Sequence, residues 1–160
     1  MLDLHFDVVG GALAYDKKHL RATMRGAGME VAAVTRKYIR GGPKTGRFYY
    51  RKGGGRYQAS APGQPPANRS GVLAGNVRVF VASDAESVKI REMARYGWLM
   101  EHGRNSPLRQ PFRKGKRVGV AIQLAPRPYL TRALNERIGP IQVRIAQAVY
   151  QDTKFVRQRP

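Results

Sequence analysis

Cysteine is absent from the 160 residues, which removes disulfide frameworks, thiol nucleophiles and thiolate metal sites and suits folding in a reducing cytoplasm. No run approaches the ~20 consecutive apolar residues of a membrane-crossing helix. The opening Met1-Leu2-Asp3-Leu4-His5-Phe6-Asp7 is acidic where a secretory signal is basic, and it lacks the long apolar stretch of one. The expectation is a soluble protein, made in the cytoplasm, without a membrane partner. Only three histidines occur, His5, His19 and His102, and no two stand at a metal-ligand spacing. Ser60 and Ser70 lack a nucleophile-elbow context. No glycine run leads into the Lys-Ser/Thr of a phosphate-binding loop. Neither a cofactor, a metal nor a catalytic centre is expected.

Acid is the other shortage, with 10 Asp and Glu against 30 Lys and Arg, a formal charge of +20. Between Glu30 and Asp84 there is no acidic residue at all, and a second acid-free stretch runs from Glu101 to Glu136. Magnesium-dependent nucleases need carboxylates near their bases, and here bases cluster where acids are missing. A field of this sign calls for a polyanion or an acidic protein surface as partner.

What is present reads as one α+β domain over residues 1–160, with a long N-terminal amphipathic helix and a C-terminal helix on one face of an antiparallel sheet. Leu13, Leu20, Met24, Ala27, Val31, Val34 and Tyr38 lay an apolar stripe on a helix from about Tyr15 to Ile39. Asp16 suits its positive end, and Gly41-Gly42-Pro43 stops it. Gly26 and Gly28 weaken its middle.

Residues 44–67 read as an extended basic arm. Arg47-Phe48-Tyr49-Tyr50-Arg51 and Arg56-Tyr57-Gln58-Ala59 flank Lys52-Gly53-Gly54-Gly55, the pattern of a hairpin. Ala61-Pro62-Gly63-Gln64-Pro65-Pro66-Ala67 is a stiff connector that is neither helix nor central strand. Val77, Val79 and Val81 alternate with Arg78, Phe80 and Ala82 as a two-faced strand. After a turn at Ser83–Glu86, Val88 and Ile90 begin a second strand. Met93 to Met100 fits a strand or a short helix. Val118, Val120, Ile122 and Leu124 alternate as a further strand. Leu130, Leu134, Ile138, Ile141, Ile145 and Val149 mark the last helix, which Pro128 introduces and Gly139-Pro140 should kink. Residues 151–160 are expected to form a basic tail.

Several of these segments are familiar as an ordered set. Lys44-Thr45-Gly46-Arg47 with its tyrosines precedes Gln58-Ala59-Ser60-Ala61-Pro62-Gly63-Gln64-Pro65-Pro66-Ala67. Ser70-Gly71-Val72-Leu73, then Tyr96-Gly97-Trp98-Leu99-Met100-Glu101-His102-Gly103, then Ala125-Pro126-Arg127-Pro128-Tyr129-Leu130 follow in order. From about residue 10 to 150 this order resembles the small neck and tail-completion (head–tail joining) proteins of lambdoid long-tailed bacteriophages. There is a departure where His102 and Arg104 replace the aromatic and threonine usual in that family.

The resemblance implies a non-enzymatic virion protein at the head–tail junction, acting in neck or tail completion or termination. It implies a closed cyclic homo-oligomer touching portal, adaptor, terminator or tail-tube proteins, with nonspecific contact to double-stranded DNA as a further expectation. Expected interface residues are Tyr49, Tyr50, Tyr57, Pro62, Pro65, Pro66, Trp98, Glu101, His102 and Tyr129. Expected to face DNA or an acidic partner are Arg47, Arg51, Lys52, Arg56, Arg113, Lys114, Lys116 and Arg117. The competing readings are a basic nucleic-acid-binding module and, behind it, a nuclease or toxin in which Glu101 is the first catalytic candidate.

Overall fold

The computed structural model describes residues 17–50, 53–104 and 124–156. Within them the chain is α+β, with two long helices, two short ones and two small antiparallel sheets. The first helix, α1 (Lys18–Arg40), buries Leu20, Met24, Ala27 and Val31 of the expected stripe, but towards its C-terminal end Ala32, Thr35 and Ile39 are buried while the expected Val34 and Tyr38 are half-buried. It ends at Gly41, whose N–H bonds the Lys37 carbonyl at 2.8 Å. Leu13 and Asp16 lie outside the described residues. The hairpin follows as β1 (Phe48–Tyr50) and β2 (Arg56–Gln58), paired antiparallel with Tyr49 opposite Tyr57. A single-turn helix, α2 (Val72–Gly75), leads into β3 (Val77–Val81) and β4 (Val88–Glu92). These two also pair antiparallel, with Val79 opposite Ile90. Their turn holds Ala85 at φ 61°.

In the segment left open between strand and helix, Met93–Tyr96 is a turn and the rest is helical: α3 spans Gly97–His102. The last helix, α4 (Leu130–Val156), carries Pro140 inside it, on an exposed position. It also runs on where a tail was expected from residue 151. Asp152 is buried there, and no glycine or proline interrupts the chain between Ile141 and Val156. The strand expected at Val118–Leu124 falls mostly outside the described residues; Leu124 alone is seen, bridged to Arg104.

Apolar burial explains the arrangement. Residues of α1, α2, β3, β4 and the start of α4 share one core, in which Val31, Val77, Ile90, Leu130 and Ile141 are fully buried. Leu20, Met24 and Val88 extend it, with Ile145 and Val149 of α4 against them. The first helix therefore lies directly on one face of the β3–β4 sheet and α4 packs chiefly along α1, rather than both helices lying on the sheet as expected, while Arg78 and Phe80 point away from that face. The β1–β2 hairpin belongs to neither layer and, among the described residues, pairs only with itself. Among the described residues no helix is long and apolar enough to cross a membrane.

The two glycines inside α1 serve opposite ends. A methyl group on Gly28 would stand 2.6 Å from Val79 Cγ1 and 2.7 Å from Val88 Cγ2, so the bare backbone lets helix and sheet touch. Gly26 is exposed and a methyl there meets nothing. Gly26→Ala is expected to stabilise by about 0.5–1 kcal/mol through helix propensity. Gly28→Ala is expected to destabilise by about 1–3 kcal/mol through overpacking. Thermal unfolding of the two variants should show shifts of opposite sign.

Candidate functional site: an aromatic and basic groove beside the hairpin

Every acidic side chain among the described residues is engaged within the chain. Glu101 on α3 is 5% exposed and accepts the N–H groups of Tyr129 (2.9 Å), Leu130 (3.1 Å) and Thr131 (2.9 Å), the opening of α4. Asp152, near the far end of α4, is 2% exposed and accepts the N–H groups of His19 and Leu20 at 3.1 and 2.8 Å, the opening of α1. Glu30 pairs with Arg144 and, at 3.7 Å, with Arg137. Glu136 takes Arg137 at 2.9 Å and the Tyr38 hydroxyl at 2.7 Å. Glu86 pairs with Lys17, and Asp84 accepts the Glu86 N–H.

Glu92 is the odd one. Its Oε1 accepts the Ala94 N–H at 2.7 Å, while Oε2 is buried without a partner. Burial pushes its carboxyl up to about 7, against the opposing pull of the Ala94 N–H and the Arg78 charge. A small cavity of about 200 Å³ lies beside it, bordered by Trp98, Glu101 and Tyr129. Tyr129 is itself buried, which raises its phenol, and its hydroxyl donates to the Gly97 carbonyl at 3.2 Å.

With the described acids engaged within the chain, cations and aromatic rings gather on the β1–β2 hairpin. Cross-strand pairing places Tyr49 and Tyr57 on one face of the hairpin, rings stacked at 5.3 Å and 17°. The Arg47 guanidinium lies 5.9 Å from the Tyr49 ring centre and Arg69 lies 4.5 Å from that of Tyr57. On the opposite face Arg56 covers Phe48 at 5.4 Å, and Tyr50 is 80% exposed. Such pairs hold cations against apolar surface by about 0.5–1 kcal/mol each where exposed.

Between the tyrosine face and the body runs a groove of about 640 Å³. Leu73, Tyr96, Met100 and Leu124 form its apolar side, and Ser60, Pro66 and Arg127 lie deepest. The connector is what holds it open. Pro66 packs so tightly over Gly42 that no side chain fits there, and Gly46 sits against the Ser60 carbonyl in the same way. The Gly63 N–H bonds the Pro126 carbonyl at 2.9 Å, tying the connector to the entry of α4.

The expected site residues thus separate into groups. Tyr49, Tyr50, Pro62, Trp98, His102, Arg47 and Arg56 are exposed and Tyr57 is half-buried, with Trp98 and His102 rings 5.2 Å apart. Pro65, Glu101 and Tyr129 are buried inside the chain, and Pro66 is buried at the bottom of the groove. Their patterns signalled importance, and the reason is packing and helix capping. Arg51, Lys52, Arg113, Lys114, Lys116 and Arg117 lie outside the described residues. The structure adds Ser60, Arg69 and Arg127, which sequence reasoning passed over. The Pro-Arg-Pro entry to α4 was the available signal for Arg127. No protein-family model, no curated protein and no solved structure matches the chain.

Proposed function

We propose that the chain is a non-enzymatic structural protein of a tailed-phage virion, assembling as a ring at the head–tail junction and helping to join the tail to the DNA-filled head. One observation carries the docking part of this reading: the described carboxylates are spent on internal caps and pairs, whereas the aromatic, basic hairpin and its groove face outward. Chemistry left on the surface is chemistry of association. Exposed Tyr and Arg are enriched in protein interfaces because each offers large contact area with directed polar groups. The phage assignment itself rests on the ordered motifs from Lys44 to Leu130. A ring would set many copies of this surface around the DNA passage.

The second reading, a basic nucleic-acid-binding module, draws on the same hairpin, since bases stack on exposed aromatic faces and phosphates meet the arginines. Electron microscopy of lysates from a phage with an early stop codon in this gene separates the two. Expected are DNA-filled heads apart from tails, with overlong tails if the role is termination. Intact virions in normal number overturn the structural reading.

A further inference from the structure

Two buried polar groups at the bottom of the groove lack what they need. The Arg127 residue is 9% exposed, and its Nε and Nη2 donate only to the Ser60 carbonyl, at 3.3 and 3.1 Å. Among the described residues no carboxylate pairs with it. Ser60 is 1% exposed and its hydroxyl has no hydrogen-bond partner. A buried cation without a counter-charge is costly, and so is a buried hydroxyl left unpaired. A single carboxylate entering the groove would relieve both. Arg69, over Tyr57 at the rim, would hold a second one.

We propose that the groove seats the N-terminal segment, residues 2–8, of a second copy of this chain. Leu2, Leu4, Phe6 and Val8 alternate with Asp3, His5 and Asp7. An extended segment with that period offers an apolar edge and an acidic edge at once. The groove has the matching pair: an apolar side at Leu73, Tyr96 and Met100, and guanidinium groups at Arg127 and Arg69. A nucleic-acid backbone satisfies the arginines but leaves the apolar side uncovered. Within the chain the acids are also apportioned this way, since Asp3, Asp7 and Asp16 all precede α1 and every acid from Glu30 to Asp152 is engaged internally.

Reach favours another copy over the chain's own segment. The 23-residue α1 is about 34 Å long, and the groove lies by Pro66, against Gly42 just past its C-terminal end. To place its own Phe6 there, residues 7–17 would have to run back nearly fully extended, at about 3.3 Å per residue. A neighbour's segment carries no such constraint, and repeated head-to-tail exchange of this kind forms a ring when the rotation between neighbours closes.

The proposal rests on reading the chain as a self-assembling virion part, yet it is tested on the purified full chain, so its failure and that of the junction role show in different experiments. Because the chain has no cysteine, thiols can be placed singly. One preparation carries Leu4→Cys, the other Ser70→Cys at the exposed rim of the groove. Mild oxidation of the mixture is expected to give a disulfide-linked heterodimer, and adding Asp3→Asn with Asp7→Asn to the first partner should lower its yield at least severalfold. Absence of the heterodimer overturns the proposal. So does a double Leu4→Cys, Ser70→Cys chain that links only to itself, an unchanged yield after removing the two acids, or loss of the link when duplex DNA is added in slight excess.

Discussion

Glu101→Ala is expected to cost about 3–4 kcal/mol of stability and to lower the unfolding temperature by roughly 10 °C. The size follows from three backbone donors rather than one. The first turn of α4 has no acidic residue of its own, so its N–H groups depend on a carboxylate supplied by α3. Glu101 receives Tyr129 and Leu130 on one oxygen and Thr131 on the other. A carboxylate there also meets the positive end of the helix dipole, which favours it by a further ~0.3–1 kcal/mol. Removing it leaves three donors buried or partly buried without partners. Glu101→Gln keeps an acceptor oxygen and loses the charge, so an intermediate loss is expected. Circular dichroism melts of the three proteins give the comparison. An unaltered melting temperature in Glu101→Ala would remove the capping account and return Glu101 to consideration as a functional carboxylate.

Period alone located α1, the β3–β4 pair and α4, because each of these alternates apolar and polar residues over several turns or strand pairs, whereas the hairpin was marked by aromatic residues around a glycine turn. Short α3 has too few residues to show a period, so Met93–Met100 stayed ambiguous and Glu101 was read as a surface or interface residue beside His102. Helix caps supplied from 28 or 132 residues away leave no local spacing to detect. By propensity Gly28 is a weak point in α1, and only the fold brings Val79 and Val88 against it. The tyrosines of the groove were legible, since four aromatic residues around a glycine turn stand out in a basic stretch. Its buried end was not: Arg127 and Ser60 are 67 residues apart and meet only through the fold.

Asp152→Ala is expected to loosen the opposite end of the molecule by about 2–3 kcal/mol, and truncation after Gln151 is expected to do the same. Lys17, at the N-cap of α1, makes no side-chain cap bond, and the first turn contains no acid. Asp152 supplies both needs from the last turns of α4, where its own helix dipole would rather have a cation. The placement is unfavourable for α4 and favourable for α1, and burial at 2% exposure makes the α1 side the larger effect. Its Oδ1 also meets His19 Nδ1 at 2.7 Å, but half that imidazole faces solvent, so the ring adds little. Asp152→Asn retains an acceptor for one N–H and should recover about half of the loss. Hydrogen exchange gives the local readout: the amides of His19 and Leu20 should lose protection in Asp152→Ala and in the truncated chain, while those in the middle of α4 keep theirs. Equal stability of the truncated and full-length chains would mean that residues 152–160 are dispensable to the fold, and that α1 is held by its apolar stripe alone.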